Sequence, residues 1–144
     1  MLDLIADHGP KFALLVALTA TLGSLYFSEI RDYIPCELCW FQRILMYPLV
    51  VIILVGILTR DYRLPAYVLP LSLLGFGVST YHYLLQNAFV HNSGFCSAGV
   101  SCSHRWINYF GFVTIPFLAQ VAFALIILTI FASILAGAFA HEDE

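Results

Sequence analysis

Two long stretches of this chain carry no charged side chain, and they constrain its fold more than any other feature. No Asp, Glu, Lys or Arg lies between Arg63 and Arg105, or between Arg105 and Glu142. Only 10% of the 144 residues are charged, whereas soluble domains carry about 25%. This number of charged side chains is too small to cover the surface of a soluble protein. We therefore predict an integral membrane protein. A nucleic-acid-binding function is excluded because the chain has no basic stripe.

Four apolar runs are each close to the ~20 residues that a helix needs to cross a bilayer. We place them at about 12–30, 36–58, 65–86 and 114–140. The predicted fold is therefore an all-α, four-helix membrane bundle, with a single domain over residues 1–144. A long loop at 87–113 joins the third and fourth spans. Its aromatic residues favour the bilayer interface, so we expect a short interfacial segment there.

Four spans place both chain termini on one side of the membrane and all four cysteines on the other. Arg43 lies within a span and is discounted. Lys11, Arg60 and Arg63 then give the side of the termini a slight excess of positive charge. This bias predicts cytoplasmic termini and extracytoplasmic cysteines. Paired cysteines at membrane ends are also typical of an oxidising compartment.

The residues from Cys36 to Arg43, Cys-Glu-Leu-Cys-Trp-Phe-Gln-Arg, form the most informative motif. At the start of the second predicted helix, Cys36 and Cys39 share one face, and Arg43 follows one turn deeper. A helix N-terminus and a nearby cation both favour thiolate over thiol, which indicates a redox site. A charged residue within a span is costly. Arg43 therefore either snorkels to the interface or stabilises a Cys39 thiolate or an anionic partner molecule.

A second cysteine pair, Cys96 and Cys102, flanks a glycine-containing segment of the loop. A disulfide exposed there would be well placed to exchange with a second protein. All four cysteines could instead bind zinc, but five residues separate Cys96 from Cys102, which is more than usual for zinc ligands. Arg43 would also repel a metal. Two purely structural disulfides are a further alternative, although stapling one helical turn stabilises little. We expect redox exchange and no metal.

His82 and Gln86 lie four residues apart near the end of the third span, so they share a face at a depth close to that of the cysteines. Polar residues in a span usually face the bundle interior. The pair is either an interhelical hydrogen-bonding pair or part of a ligand site shared with Arg43. A haem held between spans would need two histidines at matched depth, and only His82 qualifies.

These motifs together resemble the disulfide bond formation protein B (DsbB) family, and most closely its short bacterial form, called BdbC. In the better-known long form, the loop cysteines lie much further apart, with a helix between them. The matching stretches extend across nearly the whole chain. They are Cys36 to Arg43 with its continuation to Pro48, Tyr81-His82 with Gln86, the pair Cys96 and Cys102, and 106–112 leading to Ile115-Pro116.

The resemblance implies an enzyme of the bacterial cell membrane that makes disulfides de novo and passes electrons to a membrane quinone, either menaquinone or ubiquinone. It implies that Cys39 contacts the quinone and that Cys36 is its disulfide partner. Arg43 would support the interaction between thiolate and quinone. His82 and Gln86 match positions near the quinone ring.

The same resemblance implies that Cys96 and Cys102 form a shuttle disulfide, which oxidises an extracytoplasmic thioredoxin-like partner of the DsbA or BdbD type. A quinone reductase resembling the vitamin K epoxide reductase group is an alternative, but there the C-x-x-C should follow the other cysteines, and here it comes first. A non-enzymatic four-span scaffold stapled by disulfides is another, and it would bind no quinone. We expect a monomer.

Overall fold

The structure, a computed structural model, describes residues 1–87 and 107–137. Within these ranges the chain forms four long α-helices and one π-helical turn, with no strand beyond an isolated bridge between Tyr109 and Val113. Their bounds are Leu2–Leu25 for α1, Tyr26–Ile30 for the π-helical turn, Glu37–Thr59 for α2, Leu64–Gln86 for α3 and Ile115–Leu135 for α4. All four long helices have the length and apolar composition needed to cross a membrane. The predicted all-α four-helix bundle is confirmed.

The first helix begins at Leu2, well ahead of the apolar run that we predicted to start at residue 12. Its polar first turns are helical because their side chains support the helix locally. Lys11 Nζ lies 3.0 Å from an Asp7 carboxylate oxygen one turn earlier, and Asp3 lies in the first turn, where negative charge is favoured. The helix and the apolar run therefore begin at different residues.

The last helix ends at Leu135, before the predicted limit of the span at residue 140. Gly137 adopts a left-handed conformation with φ of 82°, and its N–H donates to the carbonyl of Ile134 at 3.0 Å. A left-handed glycine just past the last turn is a common helix terminator. Hydropathy alone does not detect this ending, because the residues beyond it remain apolar.

Each long helix packs against its neighbours in the chain, and α1 also packs against α4, which closes a ring of four helices. Short connections at 31–36 and 60–63 make successive helices antiparallel. The start of α2, the end of α3 and the start of α4 therefore lie at one end of the bundle. Large apolar side chains such as Leu58, Leu128 and Leu135 are exposed on its outer surface, as a lipid-facing surface requires.

The α3–α4 contact depends on a glycine. A Cβ atom at Gly75 would overlap the ring of Phe123, which is fully buried in the core. Gly77 lies two residues further along the same helix, and a Cβ there would meet nothing within 4 Å. Only the first of these two glycines is needed for close packing.

We expect Gly75→Ala to destabilise the bundle by about 1–3 kcal/mol, because the added methyl group overpacks a core site. Thermal unfolding in detergent would measure the effect. The matched control is Gly77→Ala, which should leave the unfolding temperature unchanged or raise it slightly, since alanine is the better helix former. Equal losses in both variants would contradict the assignment of close packing to Gly75.

Candidate redox site

The C-x-x-C motif lies where α2 begins, packed against the last turns of α3. Cys36 is the residue that precedes the helix, and its backbone is extended. Cys36 and Leu38 are buried together with Leu85 of α3. The Sγ atoms of Cys36 and Cys39 lie 3.3 Å apart, and both thiols are free. The two sulfurs are thus in contact, and a small movement would join them in a disulfide.

His82 connects this dithiol to the opposite helix. Its Nε2 atom lies 3.6 Å from Cys36 Sγ, and its Nδ1 atom lies 3.0 Å from the Gln42 side-chain nitrogen. His82 and Gln42 are 1% and 6% exposed, respectively. An amide nitrogen can only donate, so a neutral His82 accepts at Nδ1 and carries its proton on Nε2, toward Cys36. Gln42 therefore orients the imidazole that contacts the sulfur.

Gln42 is a site residue that the sequence analysis missed. It lies inside the Cys36–Arg43 motif, and it is buried among the core residues of α2. One signal could have found it. Gln42 follows Cys39 by three residues and therefore shares its helix face, and a polar residue in a span usually has a partner in the bundle interior.

Gln86 lies one turn beyond His82, at the last position of α3, and is also buried. The predicted shared face of His82 and Gln86 thus points into the protein. The structure brings His82 to Cys36 and Gln42, which is the contact that an interhelical hydrogen-bonding residue would make. The predicted role of His82 and Gln86 beside a quinone ring stays a prediction.

A cavity of about 460 Å³ lies beside Cys39, between α1, α2 and α4. Its volume falls within the range of about 300–1,000 Å³ that is usual for small-molecule sites. The wall is mostly apolar, and α2 contributes Cys39, Gln42 and Arg43 to it. His82 and Gln86 do not line this cavity. Two of the four predicted cofactor-binding residues, Cys39 and Arg43, therefore line the cavity.

Arg43 is held at the cavity wall by two contacts. Its Nη2 atom donates to the carbonyl oxygen of Ser24 on α1 at 3.1 Å, and its guanidinium carbon lies 5.4 Å from the centre of the Trp40 ring. The Tyr47 hydroxyl, one turn deeper, donates to the Ser24 side-chain oxygen at 3.1 Å. A guanidinium has five N–H donors, so Arg43 can bind Ser24 and still donate into the cavity.

Cys96 and Cys102 lie outside the residues that the structure describes. Their predicted part in a shuttle disulfide stays a prediction. The described end of this loop forms a tight turn, in which Phe110 and Gly111 have φ of 56° and 82° and Tyr109 pairs with Val113. The Phe110 side chain is 90% exposed. An interfacial position for this turn also stays a prediction.

The comparisons of this chain with known proteins agree on one protein family. The profile of the family described as "Disulfide bond formation protein DsbB" matches residues 10–133. The "Disulfide bond formation protein C" of Bacillus subtilis (strain 168) is 56% identical over 118 residues, covering 78% of this chain and 83% of the relative. A "Probable disulfide formation protein C" of Halalkalibacterium halodurans is 54% identical over 115 residues, covering 79% and 84%. No solved structure matches the chain.

Gln42→Leu should disturb both the fold and the dithiol. Loss of the hydrogen bond to a buried imidazole should lower the free energy of unfolding by about 1–3 kcal/mol. We also expect slower alkylation of Cys36, because its sulfur loses an oriented N–H donor. Iodoacetamide labelling of the reduced protein would measure the rate, with fragment-ion mass spectrometry to separate Cys36 from Cys39.

Gln120→Leu is the matched control for this change. The Gln120 side-chain nitrogen donates to the Thr80 hydroxyl at 3.0 Å, so this variant also loses one interhelical hydrogen bond. It should lower stability and leave the alkylation rate of Cys36 as it is. Equal slowing in both variants would mean that general loosening of the bundle, and not the orientation of His82, changes the thiol.

Proposed function

We propose that this chain, which belongs to the DsbB family of disulfide bond formation proteins, passes electrons from its dithiol to a membrane quinone. Membership of the family makes it a multi-pass membrane oxidoreductase that forms disulfide bonds. The observation that supports quinone as the acceptor is the largely apolar cavity of about 460 Å³, where Cys39 and Arg43 contribute polar groups. Menaquinone and ubiquinone are the two candidate cofactors.

The residues of the cavity suit a quinone head group. The ring of a quinone is flat and apolar and carries two carbonyl oxygens, so it needs an apolar wall and a few hydrogen-bond donors. Arg43 can donate to a carbonyl oxygen on which negative charge develops, and a fixed donor in a dry site stabilises such charge strongly. Cys39 provides the sulfur on the same wall. In our proposal, Arg43 has this function and is more than a snorkelling residue.

The electrons balance in a single exchange. The two thiols of Cys36 and Cys39 become a disulfide, releasing two electrons and two protons. A quinone held in the cavity by Cys39 and Arg43 would supply the two-electron oxidant and would take up both electrons and both protons. Arg43 holds negative charge on the Cys39 side, and His82 orders Cys36 through the contact between Nε2 and Sγ. We therefore assign His82 to the Cys36 sulfur, with Gln86 one turn beyond it on α3.

The electrons reach this dithiol through the loop cysteines. In our proposal, a reduced thioredoxin-like partner of the DsbA or BdbD type is oxidised by the Cys96–Cys102 disulfide. The resulting thiols then reduce the Cys36–Cys39 disulfide by thiol–disulfide exchange. One feature of the fold supports this order, because α3 ends and α4 begins at the C-x-x-C end of the bundle. The two helix ends that the loop connects therefore lie at the same end of the bundle as Cys36 and Cys39.

The proposal also includes a location and an assembly state. We place the chain in the bacterial cell membrane as a monomer, with both termini cytoplasmic and all four cysteines extracytoplasmic. The charges of Lys11, Arg60 and Arg63 near the terminal end of the bundle support this orientation. The oxidising compartment that the cysteine pairs need supports it independently.

Arg43→Ala should raise the apparent KM for quinone by roughly 10- to 100-fold, because a hydrogen bond to a charged group contributes about 1.5–3 kcal/mol. Quinone reduction by the purified protein with a reduced partner would measure it. Tyr47 also lines the cavity, and Tyr47→Phe loses the neighbouring bond to Ser24 but keeps the charge of Arg43, so it shows the effect of losing one hydrogen bond at the cavity wall without losing the cation. Arg63→Ala, far from the cavity, is the matched charge control. An unchanged KM in Arg43→Ala would leave Arg43 as a snorkelling residue.

The roles of the two cysteine pairs can be separated by the choice of electron donor. Cys36→Ser or Cys39→Ser should abolish quinone reduction with either a protein partner or dithiothreitol. A double variant with Cys96→Ser and Cys102→Ser should lose turnover with the protein partner and retain it with dithiothreitol, which can reach the inner pair directly. Full activity of this double variant with the protein partner would refute the shuttle role.

A further inference from the structure

Three metal-ligating atoms meet at the redox site. The Sγ atoms of Cys36 and Cys39 and a ring nitrogen of His82 all lie within 4.8 Å of one another. The two sulfurs are 3.3 Å apart, and His82 Nε2 is 3.6 Å from Cys36 Sγ. Cys36 and His82 are buried and Cys39 is partly buried. This set differs from the four-cysteine zinc alternative, because its third ligand comes from α3.

We propose that the reduced Cys36–Cys39 pair and His82 form a binding site for one thiophilic divalent ion of the Zn²⁺ class. A tetrahedral zinc with Zn–S of about 2.3 Å and Zn–N of about 2.0 Å separates its ligands by about 3.8 Å for two sulfurs and about 3.5 Å for sulfur and nitrogen. The two distances from Cys36 Sγ are within about half an ångström of these values, and Cys39 Sγ lies within 4.8 Å of the His82 ring nitrogen. The two sulfurs need to move apart, and they are not bonded to each other.

The charge of the complex also suits its position. Two thiolates and a neutral imidazole cancel the charge of a divalent ion, and binding releases two thiol protons. A neutral complex avoids the large cost of a buried net charge, and it removes the repulsion that Arg43 would otherwise exert. Cys39 also lines the cavity, so a water molecule can complete the tetrahedron from that side.

Gln42 supplies the support that a metal-ligating histidine needs. The second ring nitrogen of such a histidine almost always donates to an oxygen, which fixes the ring. Binding at Nε2 moves the imidazole proton to Nδ1, where Gln42 now places its side-chain nitrogen. A half-turn of the Gln42 amide brings its oxygen to the same position without other movement. One side chain thus supports both the metal-free and the metal-bound imidazole.

Metal binding and disulfide formation exclude each other, since both use the same two sulfurs. The ion would therefore hold the dithiol in its reduced form and block its oxidation. The metal site does not depend on the identity of the electron acceptor, so a test of metal binding is independent of the quinone proposal. It requires only that both thiols are reduced.

Cadmium titration of the full chain in detergent tests this site. The Cys96→Ser, Cys102→Ser double variant serves as the background, so that no loop cysteine contributes. We expect the absorbance from thiolate-to-cadmium charge transfer to saturate at one ion per reduced chain. Zn²⁺ should compete with cadmium for this site, and the oxidised chain should bind no cadmium. Binding by the oxidised chain, or one ion shared by two chains, would overturn the proposal.

Variants in the same background identify the third ligand. Loss of the hydrogen-bond partner of a metal-ligating histidine weakens metal affinity by roughly 10- to 100-fold, so we expect a loss in that range for Gln42→Leu. His82→Ala removes the ligand itself and should weaken binding by at least as much. His8→Ala is the matched control, because His8 is an exposed histidine of α1. Unchanged affinity in His82→Ala would overturn the site.

Cadmium NMR gives a check that needs no histidine variant and therefore does not depend on how His82→Ala folds. The chemical shift of the bound ion reports the number of sulfur and nitrogen ligands. Two sulfurs with one nitrogen is the expected result. Two sulfurs with oxygen ligands alone would exclude His82 and refute the proposal.

Discussion

The contact between the first turn of α2 and the last turns of α3 fixes the redox site. Polar groups within a membrane bundle must find their partners inside the protein, because lipid offers none. His82 meets this requirement in both directions, with Gln42 at one ring nitrogen and Cys36 at the other. Leu38 and Leu85 close apolar contacts around the sulfur of Cys36. These contacts hold the dithiol at one depth and in one orientation. The position of Cys39 at the cavity wall depends on both.

The two sulfurs touch each other and yet have different surroundings. Cys39 shares the wall of an apolar cavity with the cationic side chain of Arg43. Cys36 is buried against His82, a group that can hold a proton at a defined atom. A dithiol oxidation must release electrons and protons, and in our proposal the electrons leave on the Cys39 side while His82 holds a proton beside Cys36. The asymmetry arises from the helix, since residues three apart share a face but differ in rotation by about 60°.

Much of the architecture can be predicted from the sequence, because long charge-free runs leave few alternatives to membrane helices. The ends of the helices are harder to predict, since the Asp7–Lys11 pair extends α1 and Gly137 ends α4 for local reasons that hydropathy does not detect. Within the site, helical spacing correctly places Cys36 and Cys39 side by side. Spacing does not give the rotation of α3 relative to α2. That rotation decides that His82 meets Cys36 and Gln42 and does not line the cavity.

A dithiol prepared for oxidation is also a set of metal ligands. Both functions use two sulfurs held close together, and both benefit from a nearby imidazole with a fixed ring and from limited access to water. The dithiol of this chain has two sulfurs in contact and a buried imidazole beside them, so the same geometry suits electron transfer and metal binding. The distinction must come from the oxidation state. The disulfide has no thiolate to offer a metal, so a rapid supply of oxidant would protect the site, and a shortage would expose it.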